Sequence, residues 1–306
     1  PWTPSRIPDQ TGRTAVVTGA NSGLGRVTAT ELARHGADVI LAVRNIMAGE
    51  DAASAIRAEV PGSTVRVRQL DLASLDSVRA FADQATGELD RIDLLVNNAG
   101  LVVLGDRQTT ADGFELHLGT NHLGHFALTG LLLPLLERGN TPRVVSLSSL
   151  SHKGGHLDFD DLMAERNYDA SAAYGASKLA TTVFGIELDR RLRDAGSPVI
   201  STLAHPGISR SNLTPRAWAN RGAIGRVIAA IYAARYTQPT EQGALPQLYA
   251  ATAGGVRGGQ FFGPDGKNEQ HGNVTEVTGT AEARDPEVGR RLWRVSEDLT
   301  GVHWLD

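Results

Sequence analysis

The sequence predicts an α/β fold with a single Rossmann-like domain, a doubly wound parallel sheet of about seven strands with helices on both faces. Short apolar runs alternate along the chain with longer segments whose apolar residues recur at helical spacing. The runs are continuously apolar, as expected for strands that are buried on both faces. The length of 306 residues suits one large α/β domain over residues 1–306 and is short for two domains.

Six apolar runs are predicted strands, and a seventh follows late in the chain. They are Thr14–Thr18, Val39–Val43, Val65–Leu70, Ile92–Val96, Arg143–Leu147, Val199–Ala204 and Gln260–Phe262. Helical spacing between them, as at Val27 and Leu32, predicts crossover helices and right-handed parallel connections. A last helix is expected over Asp285–Leu299, because Asp285 can cap it and Pro286 suits its first turn.

Composition and charge exclude several classes of function. The formal net charge of −4 argues against nucleic-acid binding by general electrostatics. The absence of cysteine excludes disulfides, thiolate metal sites and cysteine nucleophiles, and it fits a cytoplasmic protein. Pro1–Gln10 is polar, so we do not expect it to be a signal peptide. The longest apolar run, Phe126–Leu136, is shorter than the roughly 20 residues that span a bilayer. We therefore expect a cytoplasmic protein with no membrane span and no nucleic-acid partner.

Histidine spacing does not predict a metal site. His122 and His125 stand three residues apart, but no third ligand lies near them in the sequence.

Two regions depart from the strand–helix alternation. Ser151–Ala172 is a long polar connection, and Thr214–Thr240 contains an amphipathic helix within a predicted substrate lid at about residues 208–240. The apolar face of that helix either packs in the core or forms a wall of the substrate site. It consists of Ile224, Val227, Ile228, Ile231 and Tyr232.

A glycine-rich segment, Thr18-Gly19-Ala20-Asn21-Ser22-Gly23-Leu24-Gly25, follows the first predicted strand and precedes a helix. Glycines allow positive φ and close approach of a pyrophosphate, and a helix N-terminus offers free N–H groups and the positive end of its dipole. The alternative is an ordinary tight turn, but the position between strand and helix is the context that a dinucleotide site requires. The predicted cofactor-binding residues here are Gly19, Asn21, Ser22, Gly23, Leu24 and Gly25.

Arg44 predicts which dinucleotide binds. The second strand ends in Val43-Arg44-Asn45, where a site for NAD normally carries a carboxylate that accepts from the ribose 2′-OH. A guanidinium favours the 2′-phosphate of NADP instead. We expect NADP(H) to be preferred and NAD(H) to be possible; the alternative is a solvated surface arginine.

Tyr174 and Lys178 lie one helical turn apart at the start of an apolar-periodic helix, so both side chains can face one pocket. A free tyrosine has a pKa of about 10 and is a poor acid–base catalyst at neutral pH. A nearby ammonium favours the phenolate, so we expect Lys178, with a bound nicotinamide cation, to lower the pKa of Tyr174. The alternative is a partly buried tyrosine beside an exposed lysine.

Together these motifs resemble the short-chain dehydrogenase/reductase family from about Gly12 to about Gly263. Further segments match the family in order: Asp71-Leu72, Asn97-Asn98-Ala99-Gly100, Asn121 in Thr120-Asn121-His122-Leu123-Gly124, Ser149 at the end of Arg143-Val144-Val145-Ser146-Leu147-Ser148-Ser149, and His205-Pro206-Gly207. The resemblance adds to the cofactor-binding residues Asp71, Leu72, Asn98, Ala99, Gly100, Tyr174, Lys178, Pro206, Gly207 and Ser211. Ser211 stands where the family usually has threonine.

The resemblance implies an NAD(P)-dependent oxidoreductase, closest to a soluble, bacterial member of the retinol-dehydrogenase-like branch. That branch acts on hydrophobic alcohols and carbonyls and often uses NADP. By resemblance, Ser149 binds the carbonyl and Tyr174 is the general acid/base. Lys178 binds the nicotinamide ribose, and Asn121 holds a water that links Lys178 to solvent. Ser148 is the less suitable serine by register.

Two other functions stay open on the same fold. One is a non-catalytic, dinucleotide-sensing regulator, which the presence of Asn121, Ser149, Tyr174 and Lys178 disfavours. The other is a lyase or epimerase with tightly bound NAD, which would favour an acidic residue where Arg44 stands. A homodimer, a homotetramer and a monomer are all compatible with the sequence, because the C-terminal extension, about residues 264–306, can cover an interface that many relatives use.

Overall fold

The computed structural model describes residues 1–209 and 237–305, which form one eight-stranded sheet with helices around it. The strands are β1 (Thr14–Thr18), β2 (Asp38–Val43), β3 (Val65–Gln69), β4 (Leu94–Asn97), β5 (Arg143–Leu147), β6 (Ile200–Ala204), β7 (Phe261–Pro264) and β8 (Val274–Val277). Their order is β3-β2-β1-β4-β5-β6-β7-β8. All neighbours pair in parallel except β7 and β8, which are antiparallel.

Helices cover both faces of the sheet. Those described are α1 (Gly23–Arg34), α2 (Ile46–Glu59), α3 (Leu75–Glu88), α4 (Leu116–Leu118), α5 (Gly124–Leu136), α6 (Ala170–Asp194), α7 (Thr240–Thr252) and α8 (Pro286–Thr300). The core on one face contains residues of α1, α2 and α7, and the core on the other contains residues of α3, α5, α6 and α8. Val17 and Val16 of β1 point into these two different cores. The predicted doubly wound α/β fold is confirmed.

The seven predicted strands are all present, with ends that differ by at most two residues from the predicted ones. The strand β8 was not predicted. Among the described strands it pairs with β7 alone, and its residues are half-buried or exposed. Its sequence mixes valine with threonine and glutamate, so it lacks the continuous apolar run that marks a strand buried on both faces.

The C-terminal segment packs into the core. The Asp285 carboxylate accepts a hydrogen bond from the Glu287 N–H over 2.8 Å, so Asp285 caps α8 as predicted. Trp293 and Trp304 are buried with ring centroids 4.6 Å apart, and both contact Phe126 of α5 and Phe184 of α6. The end of the chain therefore covers α5 and α6.

Most of the predicted lid lies outside the described residues, and so do Ser211 and the apolar face of its helix. The two ends of this segment lie side by side, because Ser209 forms a β-bridge with Gln238. The polar connection before α6 contains a 3₁₀ turn at Leu150–Gly154. Within the described ranges, every helix is too short or too polar to cross a bilayer.

Candidate active site

The candidate site lies at the carboxyl edge of the sheet. The adjacent strands β1, β4, β5 and β6 are followed, respectively, by the glycine-rich segment, by residues 98–100, by Ser149 and by Pro206 with Gly207. Parallel strands present their carboxyl ends at one edge, so segments that are far apart in sequence meet there.

The glycine-rich segment has the backbone that a bound pyrophosphate needs. Gly19 and Gly23 have φ values of 65° and 56°, in the left-handed region that favours glycine. A Cβ on Gly25 would collide with the Asn98 amide and the Gly19 carbonyl. Ser22 is the N-cap residue of α1, but its side chain makes no capping hydrogen bond, so the first-turn N–H groups can serve an external anion. These residues fit a dinucleotide.

Thr18 joins the glycine-rich segment to the loop after β4. Its buried hydroxyl oxygen accepts from the N–H groups of Asn98 and Ala99 over 3.0 and 2.9 Å. The Asn98 amide returns a hydrogen bond to the Thr18 carbonyl over 2.7 Å. Gln247 of α7, which the sequence analysis did not single out, donates to the Asn98 side chain and to the hydroxyl of Thr28. The glycine-rich segment and the loop after β4, the two predicted cofactor loops, are thus a single hydrogen-bonded unit.

The predicted adenosine end lies beyond β2 and β3. Arg44 is exposed, and the neighbouring Asn45 caps α2 by accepting from the Ala48 N–H over 3.1 Å. Asp71 accepts from the Ala73 N–H over 3.0 Å and holds the turn after β3, while Leu72 is buried. The Arg44 guanidinium makes no ion pair with any residue in 1–209 or 237–305, so it is available to an anion.

Asn121 fixes the segment that follows residues 98–100. It lies in a π-helical turn, Gly119–Leu123, between α4 and α5, a type of distortion that is frequent at functional sites. Its carboxamide accepts from the Leu101 N–H over 2.9 Å and donates to the Leu101 carbonyl over 3.1 Å and to the Ser177 hydroxyl over 2.9 Å. A Cβ on Gly100 would lie 3.3 Å from the Asn121 oxygen and 3.1 Å from the Lys178 nitrogen.

Lys178 is a buried cation held by the backbone. Its Nζ donates to the Leu147 carbonyl at the end of β5 over 3.0 Å. Burial lowers the pKa of Lys178 to about 8. An ammonium has three donors, so two remain for a ligand at this edge.

Tyr174 and Ser149 come from different elements, but the Ser149 hydroxyl lies close enough to the phenol of Tyr174 to influence its pKa. Burial raises the pKa of Tyr174, and the Ser149 hydroxyl opposes that rise without cancelling it. Lys178 is not among the causes of this shift, so lowering of the Tyr174 pKa by Lys178 with a bound nicotinamide stays a prediction. Desolvation of the phenolate dominates, and Lys178 directs its hydrogen bond to Leu147.

The structure separates the two candidate serines. Ser148 is buried, and its hydroxyl bonds to the Thr182 hydroxyl over 2.7 Å and to the Lys178 carbonyl over 3.2 Å. The Ser149 hydroxyl accepts from the Ser151 N–H over 3.2 Å and lies at Tyr174. The Ser148 hydroxyl is therefore used by contacts within the fold, whereas Ser149 is half-buried at the site.

Pro206 and Gly207 are held by a network that the sequence did not reveal. Gly207 has a φ of 62°, and its N–H donates to His205 Nδ1 over 3.2 Å. The opposite ring nitrogen of His205 lies 2.9 Å from Glu269, which also pairs with Lys153 over 2.7 Å. Burial lowers the pKa of His205 to about 4, so its ring is neutral at pH 7. No local pattern links Glu269 to His205, because they are distant in sequence.

His117 and Glu115 were also missed. The buried His117 ring meets the Tyr174 ring edge to face, with centroids 5.9 Å apart. Its Nδ1 lies 2.8 Å from Glu115, and its Nε2 accepts from the Val103 N–H over 3.0 Å. Burial raises the pKa of Glu115, but hydrogen bonds from His117 and the Leu118 N–H outweigh it, so the net pKa is lowered.

His122 and His125 are both buried and bind different partners. The nearest partner of His122 is the Ser296 hydroxyl at 2.8 Å, and that of His125 is the Thr18 hydroxyl at 2.9 Å. Among the described residues, no group of three or more histidine, aspartate or glutamate side chains is arranged to hold a metal.

Comparison with known proteins was made by sequence and by structure. The family model for short chain dehydrogenases matches residues 13–222. Human (Homo sapiens) retinol dehydrogenase 13 is 42% identical over 294 residues, which are 95% of this chain and 85% of that protein. Retinol dehydrogenase 12 of Mus musculus is 39% identical over 295 residues, covering 96% and 88%.

Solved structures of other proteins are also similar to this chain. The crystal structure of an uncharacterized protein from Mycobacterium Paratuberculosis has a TM-score of 0.81 and 41% identity, and the match covers 99% of this chain and 98% of that one. The Pseudomonas aeruginosa RhlG/NADP active-site complex has a TM-score of 0.65 and 26% identity, covering 82% and 94%.

Proposed function

The chain belongs to the short-chain dehydrogenase family, in its retinol-dehydrogenase-like branch, and we propose that it interconverts a carbonyl and a primary or secondary alcohol on a hydrophobic small molecule with NADP(H). Tyr174 is the general acid/base of this reaction. The observation that carries the proposal is the meeting of Tyr174, the Ser149 hydroxyl and the buried Lys178 at the sheet edge that also holds the glycine-rich segment.

In the reducing direction, two hydroxyls polarise the substrate carbonyl. Ser149 donates to the carbonyl oxygen and fixes its position. Tyr174, kept protonated at neutral pH by its raised pKa, donates the proton that converts the developing alkoxide to the alcohol. A nicotinamide bound at this edge would supply the hydride in this direction and accept it in the other.

Lys178 and Asn121 position the other groups. Because one N–H of Lys178 is used by Leu147, the remaining two can bind the ribose hydroxyls of the nicotinamide half. With a pKa of about 8, Lys178 can also exchange protons near neutral pH and so resupply Tyr174. Asn121 holds Leu101 and Ser177 beside it, and by resemblance to the family it would hold the water that links Lys178 to solvent.

Arg44 supports the preference for NADP(H). It is exposed where β2 ends, and a guanidinium there suits a 2′-phosphate. The similar Pseudomonas aeruginosa structure is a complex with NADP. NAD(H), which lacks the 2′-phosphate, can still occupy the glycine-rich segment and is expected to bind more weakly.

The test is a panel of aldehydes, ketones and alcohols, with retinaldehyde and retinol included because the relatives are named retinol dehydrogenases. Each is assayed with NADPH or NADH for reduction and with the oxidised forms for oxidation. We expect turnover with apolar members and a preference for NADPH. Cofactor binding without turnover of any member would favour a sensor, and cofactor that cannot be dialysed away would favour a lyase or epimerase.

A further inference from the structure

A buried imidazole lies between the two cofactor loops and Asn121. His125 is 3% exposed and belongs to α5, one helical turn after Asn121. Its Nδ1 lies 3.1 Å from the Asn121 carbonyl oxygen, and its Nε2 lies 2.9 Å from the Thr18 hydroxyl. Neither the family match nor the roles proposed above assign this residue a function.

The direction of each hydrogen bond follows from the partners. A carbonyl oxygen carries no hydrogen, so Nδ1 of His125 is the donor to Asn121. Burial lowers the pKa of His125 to about 4, so the ring is neutral at pH 7 and Nε2 is an acceptor. The Thr18 hydroxyl therefore donates to Nε2; the Val96 carbonyl, at 3.4 Å, is its weaker alternative.

Thr18 has no hydrogen-bonding capacity left. A hydroxyl has one hydrogen and two lone pairs. Its hydrogen goes to His125, and its lone pairs accept from the N–H groups of Asn98 and Ala99. The imidazole thus fixes the orientation of the hydroxyl that ties the glycine-rich segment to the loop after β4.

The other side of the ring fixes the π-helical turn. The Asn121 carbonyl is the acceptor for His125, and the Asn121 carboxamide holds both backbone groups of Leu101 and the Ser177 hydroxyl. The hydrogen bonds therefore run without a break from Asn98 and Ala99 through Thr18 and His125 to Asn121.

We propose that His125 is a positioning residue that couples the geometry of the dinucleotide loops to that of Asn121 through the two nitrogens of one neutral ring. The expected effect of this coupling on turnover rests on the proposed function. The expected effect on cofactor binding does not rest on it.

Three substitutions test the hydrogen bonds of the two ring nitrogens separately. His125→Phe keeps a ring but loses both hydrogen bonds. His125→Asn places an amide donor near Nδ1, and His125→Gln places an amide oxygen acceptor near Nε2. For each variant we would measure Tm, the Kd for NADPH by fluorescence titration, and kcat with the best carbonyl of the panel.

We expect the variants to affect NADPH binding and turnover separately. His125→Phe should raise the Kd and lower kcat, each about tenfold, the loss expected for one buried hydrogen bond. His125→Gln should restore the Kd to within about threefold, and His125→Asn should restore kcat to a similar degree, because each keeps one of the two bonds. Thr18→Val combined with His125→Phe should weaken NADPH binding by less than the product of the single effects.

His122→Phe is the matched control. It replaces an equally buried histidine three residues earlier, whose partner is Ser296 of α8, and should lower Tm without changing the Kd. The proposal is overturned if His125→Phe leaves the Kd and kcat unchanged, or if all three His125 variants change both in proportion to Tm. Absence of turnover in the unsubstituted protein would refute the proposed function alone, since the Kd measurements would still test the Thr18 side of the coupling.

Discussion

The Lys178 ammonium donates a hydrogen bond to the Leu147 carbonyl over 3.0 Å, whereas the phenol of Tyr174 lies next to the Ser149 hydroxyl. The lysine and tyrosine that the sequence places on one helical face therefore contact different groups. Lys178 is fixed by the end of β5, and Tyr174 is tuned by the hydroxyl that follows the same strand.

Burial of the Lys178 ammonium lowers the free energy of unfolding of the protein. The folded pKa of about 8 lies below the ordinary 10.5, so below pH 8 both states are charged and the folded state carries the full desolvation penalty. Between the two values the folded chain is deprotonated first, and stability rises with pH. Lys178→Met removes this desolvation penalty but also the hydrogen bond to Leu147. The net effect should raise the free energy of unfolding by roughly 1–2 kcal/mol at pH 7 and by less near pH 10.

Urea unfolding of both proteins at the two pH values measures this gain. Lys267→Met, at an exposed lysine, should change stability by no more than about 0.5 kcal/mol. A loss of stability in Lys178→Met at pH 7 would show that the buried charge is compensated in the fold.

Ser149→Ala should shift the pH dependence of alcohol oxidation. Oxidation needs the phenolate of Tyr174, and the Ser149 hydroxyl lowers the pKa that burial raises. Its removal should move the rising limb of the kcat/KM profile to higher pH and lower kcat about 100-fold. Ser148→Ala, at the neighbouring serine that bonds to Thr182, should leave the limb in place. Equal shifts for both serines would argue against this role of Ser149.

Gly100→Ala tests the close contact at residue 100. The added methyl would lie 3.1 Å from the Lys178 nitrogen and 3.3 Å from the Asn121 oxygen, so it should displace them and lower kcat/KM by about tenfold or more. Gly87→Ala adds the same methyl in α3 where no atom lies within 4 Å, and it should instead stabilise the helix by about 0.5–1 kcal/mol. Steady-state kinetics and thermal unfolding of both variants measure these effects. Full activity in Gly100→Ala would contradict the described contact.

Arg44→Ala should weaken NADPH selectively. Loss of a charge-assisted bond to the 2′-phosphate should raise the Kd for NADPH roughly tenfold or more and leave that for NADH within about twofold. Fluorescence titration measures both constants. Arg294→Ala, at an exposed arginine of α8, should change neither. If Arg44→Ala weakens both cofactors equally, the predicted preference for NADP(H) is refuted.

The sheet and the cofactor loop were predictable because their signals are local. A continuous apolar run such as Val39–Val43 marks a central strand, and the glycines after Thr18 mark the turn that follows it. Conversely, β8 lies at the edge with mixed polarity and lacks such a run.

The supporting residues of the site were not predictable because their partners are distant in sequence. His117 meets Tyr174, Gln247 meets Asn98, and Glu269 meets His205 only when the carboxyl edge is assembled. The raised pKa of Tyr174 in this structure was not predictable for a related reason. The sequence places a cation one helical turn away, but the competing desolvation depends on the packed surroundings of the ring.

The central claim is that the Tyr174 oxygen transfers the proton, and the most direct measurement compares turnover with cofactor affinity in Tyr174→Phe. We predict that kcat for carbonyl reduction falls by at least about 100-fold while the Kd for NADPH stays within about twofold, because the phenol donates to substrate and the ring is retained. A Tyr174→Phe protein that keeps the kcat of the unsubstituted chain would contradict the account.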